Sequence, residues 1–128
     1  MPRLVCIDDM AAAFRPGEHV FLPGSAGEPA ALLAALAARP ERSRGLRIMS
    51  TAVPGINTLP MDALDPTAEV TGLFMAPGLR RAQAEGRFRN LPLSFGGFAA
   101  HVRDTLPVGT CVVHVAPPDA AGRCSLGA

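Results

Sequence analysis

The stretch from His19 to Leu36, HVFLPGSAGEPAALLAAL, leaves the backbone few choices: an apolar run stops at a glycine loop and an alanine- and leucine-rich segment follows at once. Val20, Phe21 and Leu22 suit a buried strand. Gly24 and Gly27 permit backbone angles and close approaches that larger residues resist, and Pro29 fits the first turn of a helix. In an open α/β sheet a strand-loop-helix junction of this kind lies at the carboxyl end of the strand. There, backbone N–H groups and the helix dipole can face negative charge on a ligand. The same residues also describe a plain turn with no ligand, and a lone GxxG does not decide between the two.

The rest of the chain repeats this alternation. Asp8 or Asp9 can cap a short helix from Met10 to Phe14, which Pro16 and Gly17 end. Leu32, Leu33 and Leu36 recur at helical spacing after the glycine loop. LRIMST, from Leu46 to Thr51, reads as a second strand, and EVTGLFM, from Glu69 to Met75, as a third. The proline-rich stretch from Ala52 to Pro66 between them reads as a long loop, which in a compact domain is usually functional or mobile. Pro77 and Gly78 open a helix that stops at Gly86, Leu91 to Leu93 offer a brief fourth strand, and Phe98, Val102 and Leu106 mark a helix from Gly97 to Leu106. CVVHV, from Cys111 to Val115, is the last strand, followed by a Pro-Pro-Asp turn. The pattern predicts one α/β domain over residues 1–128, an open and mostly parallel sheet flanked by helices. With no closing helix after the last strand, the domain reads as truncated.

Composition narrows the function. Of 128 residues, 48% are hydrophobic and 18% charged, which argues for a packed globular chain. The net charge is +1, all 12 basic residues are arginine, and there is no Trp or Tyr, so neither nucleic acid nor an anionic membrane is invited. Cys6, Cys111 and Cys124 are far apart and form no CxxC motif. With no apolar leader or spanning run, they fit a reducing cytoplasm. His19, His101 and His114 have no ligand-spaced partners, so no metal site is expected.

Three segments in order, GSAGEPAALLAAL from Gly24 to Leu36, FMAPGLRRAQAEGR from Phe74 to Arg87 and VVHVAPPDAAGRCSLG from Val112 to Gly127, carry a resemblance over nearly the whole chain. The sequence resembles the N-terminal part of the acetyl-CoA hydrolase/transferase family, particularly its 4-hydroxybutyrate CoA-transferase branch. The resemblance implies a two-domain enzyme with related α/β halves and an active site between them. There a glutamate attacks the acyl-CoA thioester and passes through an acyl-glutamyl anhydride to a glutamyl-CoA thioester. That glutamate belongs to the second half, beyond Ala128, so no catalytic residue is expected here. Where related chains have a Ser-Glu-x-Pro turn, this one reads Ser94-Phe95-Gly96-Gly97, which bears on substrate choice and on activity.

The resemblance places a CoA-ester contact on Gly24, Ser25, Ala26, Gly27, Glu28 and Pro29, with coenzyme A esters and carboxylates as substrates and no tightly bound cofactor. Gly27 is the position expected to bring backbone close to ligand. Glu28 is either an acid acting on substrate or a charge stabilising a helix N-terminus. Arg80, Arg81, Arg87 and Arg89 either meet CoA phosphates or form a solvated helix face. His114 points opposite Val113 and Val115, toward another layer or a crevice. Pro118 and Asp119 line the inter-domain cleft, or Asp119 caps its own turn. Partnership is expected with another copy or with a separate second half, and the rival reading is a non-catalytic CoA-ester-binding subunit. A Rossmann-type nucleotide binder is weakened by the absence of GxGxxG spacing.

Overall fold

Val20, Ile48, Val70 and Phe88 stand in register across four neighbouring strands, each no more than 3% exposed, and this row is the floor of the core. The computed structural model that shows it describes residues 3–126. Its strands are β1 (His19–Leu22), β2 (Arg47–Ser50), β3 (Glu69–Gly72), β4 (Phe88–Asn90) and β5 (Val108–Cys111). They form one all-parallel open sheet in the order β4-β3-β2-β1-β5. Helices α1 (Ile7–Ala12), α2 (Ala30–Ala38), α3 (Arg80–Ala84) and α4 (Phe95–Asp104) complete the α/β fold.

Side-chain alternation along parallel strands gives the sheet two faces, and the connections cover them unequally. On the first face Leu32, Leu33 and Leu36 of α2, Ala82 of α3 and Ala11 of α1 pack over the Val20 row. The crossover from β2 to β3 has no α-helix. A single 3-10 turn, Met61–Ala63, buries Met61 in the same core, with Leu64 just after it, so the long proline-rich connection is tied down at its centre. On the second face α4 alone, with Phe98 and Val102 and with Leu106 just beyond its end, covers Phe21 and Met49. Phe21 and Phe98 meet with ring centroids 6.4 Å apart. The amino-terminal part of this face stays open as a groove of about 460 Å³ that includes His19, Arg47, Glu69, Thr71, Arg89 and His101.

Several boundaries differ from the sequence expectation, each for a local reason. The last strand is Val108–Cys111, not Cys111 to Val115. Its start is fixed by the Thr110 hydroxyl donating to the Glu18 carboxylate, and its pairing stops after the Val112 amide donates to Phe21 O at 3.0 Å. Two residues beyond Phe21, the next position that would face β5 is Pro23, which has no amide to continue a ladder. His114 therefore lies outside the strand and is exposed. The fourth strand is Phe88–Asn90, not Leu91 to Leu93: the Phe88 ring fills the space over Gly72, where a Cβ would come within 2.8 Å of it, while Pro92 interrupts the later segment. Helix α4 begins at Phe95 because Ser94 Oγ accepts from Gly97 N at 3.1 Å, and it ends at Asp104. In α1 the cap is Cys6, whose Sγ accepts from Asp9 N at 3.4 Å, and both aspartates fall inside the first turn.

Candidate functional site

The chain moves outward from β1 through β2, β3 and β4, then returns over the second face to place β5 on the other side of β1. Strand order thus reverses between β1 and β5. In parallel sheets the loops leaving two such strands depart toward opposite faces and leave a crevice at their carboxyl ends. Here that crevice is a cleft of about 520 Å³, walled on one side by Pro23, Ala26 and Gly27 and on the other by Val113, His114, Val115, Ala116, Pro117 and Leu126.

The glycine loop is held at this spot by its neighbours. Residues Ser25–Gly27 form a 3-10 turn between β1 and α2. Gly24 is the position that needs to be glycine: a Cβ there would lie 2.2 Å from Thr51 O, because the loops after β1 and β2 run against each other. Gly24 N donates to Thr51 Oγ1 at 2.9 Å. A Cβ at Gly27 would make an ordinary 3.4 Å contact with Pro23, so Gly27, although it lines the cleft, is not where backbones approach most closely. Ser25 adopts a left-handed conformation, φ +54°, unusual for a residue with a side chain.

Asn57 was not a candidate from the sequence. Its Oδ1 accepts from Ser25 N at 2.6 Å and from Val53 N at 2.9 Å, and its Nδ2 donates to Ser25 O at 3.1 Å. The only sequence signal was a lone asparagine in a long irregular segment, where asparagine is common for its own local turns. The other expected residues are dispersed. Glu28 faces a shallow crevice with Thr58, Pro60 and one side of α2, away from the β1/β5 cleft, with one carboxylate oxygen buried and unpaired among the described residues. Pro29 is the residue preceding α2.

Asp119 is occupied by its own turn. Its Oδ1 accepts from Ala121 N and Arg123 N, and its Oδ2 from Arg123 Nε, each at 2.9 Å. These bonds, led by the Arg123 amide, hold its carboxyl below the ordinary aspartate value. Pro118 is exposed beside it. The arginines are far from the cleft: Arg80 and Arg81 lie on α3 and Arg89 on β4, at the edge three strand spacings, about 14 Å, from β1. Arg81 pairs with Glu85 at 2.8 Å, and Arg87 turns under the sheet edge to donate to Met61 O and Asp65 O at 2.9 and 3.1 Å.

A second, smaller cleft of about 300 Å³ opens at the carboxyl ends of β2 and β3, walled by Val53, Pro54, Asn57, Leu59, Phe74 and Leu79 among others. Among the described residues no group of three His, Cys, Asp or Glu side chains could hold a metal ion, and no helix is long and apolar enough to cross a membrane.

No protein-family model matches the sequence, and no curated protein sequence does. Solved structures do match. RipA from Yersinia pestis superposes with a TM-score of 0.77 at 23% identity, over 96% of this chain and 31% of its own. Two point variants of RipA give TM-scores of 0.77 and 0.76 at 23% and 24% identity, each with 30% of its length covered. The chain thus spans about a third of the proteins it is similar to, and what they share with it is the α/β fold.

Proposed function

We propose that the chain is the N-terminal, ligand-binding portion of a CoA-transferase or acyl-CoA hydrolase and that the β1/β5 cleft receives the acyl-pantetheine end of a coenzyme A ester. The observation that carries this is position: the Gly24–Pro29 loop, the first of the segments resembling that family, sits where the strand order of the parallel sheet reverses. Chemistry agrees with it. The cleft wall is mostly apolar, built from proline, alanine, valine and leucine, with His114 its titratable side chain. Such a wall suits a thioester and a pantetheine arm, with backbone groups at its edge for the amides. Among the described residues no arginine lines it, so the phosphates of coenzyme A would extend away from this surface.

Among the described residues the same wall carries no carboxylate. A glutamate nucleophile would have to come from outside it, which favours a binding role for this chain over catalysis by it. Glu28, turned toward Thr58 and α2, is then a structural acid.

The test is equilibrium binding of butyryl-CoA to the chain, with amide exchange to locate it and mass spectrometry to detect covalent change. The expected result is protection at Ala26, Gly27 and 113–116, competition by S-butyryl pantetheine, none by ADP, and no adduct on the protein. Protection confined to the β3/β4 edge, or an adduct on Glu28, would overturn the reading.

A further inference from the structure

The geometry points to Asn57 as a positioning residue that locks the glycine loop in its ligand-receiving shape and makes the two clefts at the carboxyl edge one site. The inference rests on the binding role proposed above for the β1/β5 cleft.

Ser25 holds φ +54°, a conformation that L-residues with a Cβ disfavour and that glycine adopts freely. Asn57 holds it there by taking both the amide and the carbonyl of Ser25, the carbonyl accepting in addition from Glu28 N at 3.4 Å within the turn. With its third bond, to Val53 N, one side chain ties the loop after β1 to the loop after β2. Ser25 directly precedes Ala26 and Gly27, which wall the larger cleft, while Asn57 itself walls the smaller one. A ligand that touches Asn57 in the smaller cleft therefore bears on the loop that shapes the larger. An asparagine serves where aspartate or serine would not, because it alone offers an acceptor for two amides and a donor for a carbonyl in one planar group.

A double-mutant cycle between Asn57 and Ser25 tests this, since glycine at 25 would hold the left-handed turn without help. In the otherwise native chain, Asn57→Ala should weaken butyryl-CoA about tenfold, the scale of one or two lost hydrogen bonds. In the Ser25→Gly chain the same substitution should cost less than about threefold, because the conformation no longer depends on the clasp. A residue that merely stabilised the fold would cost the same in both backgrounds, and equal costs overturn the inference. If Asn57→Ala does not fold, Asn57→Ser provides the same cycle: it gives up the planar amide's bonds to Ser25 without setting a charge against the Ser25 carbonyl, and its penalty should likewise shrink with glycine at 25. Wild type that binds with no penalty in Asn57→Ala removes Asn57 alone. Wild type that fails to bind removes the proposed binding role, and the role of Asn57 with it.

Discussion

The two faces of the sheet are built by the same strands to different ends. On the first, Val20, Ile48, Val70 and Phe88 are sealed beneath three helices and a 3-10 turn. On the second, the equivalent row one residue earlier is His19, Arg47 and Glu69, facing an open groove, and only the row beneath α4 is apolar. Parallel sheets are usually covered on both faces. The difference teaches where the chain keeps its stability: burial on the first face holds the strands, and the second can carry charge without cost.

The largest effect is expected from breaking the sealed face. Phe88→Ala removes a ring that is 3% exposed and also uncovers Gly72, over which it packs, so the loss should approach 3–5 kcal/mol, about the usual range for a buried phenylalanine. Urea unfolding measures it, and a cost below about 1 kcal/mol would mean that this face can collapse around the void.

A smaller effect sits at the rim of the same face. The Thr67 hydroxyl donates to the Asp65 carboxylate and accepts from Gly45 N at 2.9 Å. Thr67, through its side chain and then its amide, holds the Asp65 carboxyl below the ordinary aspartate value against the opposing effect of burial. A depressed folded pKa contributes stability above the unfolded value, about 3.9, and loses it as pH falls through the folded one. Thr67→Val should therefore cost about 1–2 kcal/mol near neutrality and less as the pH drops below about 4. Melting curves from pH 7 down to 2 follow it, and a cost independent of pH would detach Asp65 from the effect.

The smallest change belongs to the open face. Arg47 is exposed and has no ion pair among the described residues, so Arg47→Ala should shift stability by less than about 0.5 kcal/mol. A larger loss in the same unfolding assay would show that this groove is structural and the contrast between faces overstated.

What the sequence revealed follows the same division. The buried strands were legible because apolar runs between helices leave little choice, and the parallel α/β class follows from their alternation. The glycine loop was found because Gly24 and Pro29 punctuate it locally. The start of β5 and the site of β4 were missed because they depend on partners elsewhere in the chain, Glu18 for Thr110 and Gly72 for Phe88. Asn57 was missed for the same reason. Its partner at Ser25 is 32 residues away, and nothing in the residues around it announces that contact.

The return of β5 to the far side of β1 also sets an order of assembly. Glu18 and Thr110 are 92 residues apart, so the contact that registers β5 closes nearly the whole chain. Until then β1, with Val20, Phe21 and Leu22, is an edge strand offering unpaired backbone to any neighbour. During synthesis that edge leaves the ribosome long before its natural cover exists, and a second nascent chain can reach it first. Refolding followed with an apolar dye should show this interval as a transient signal that ends when β5 pairs and grows longer-lived when Thr110→Val weakens the closing contact.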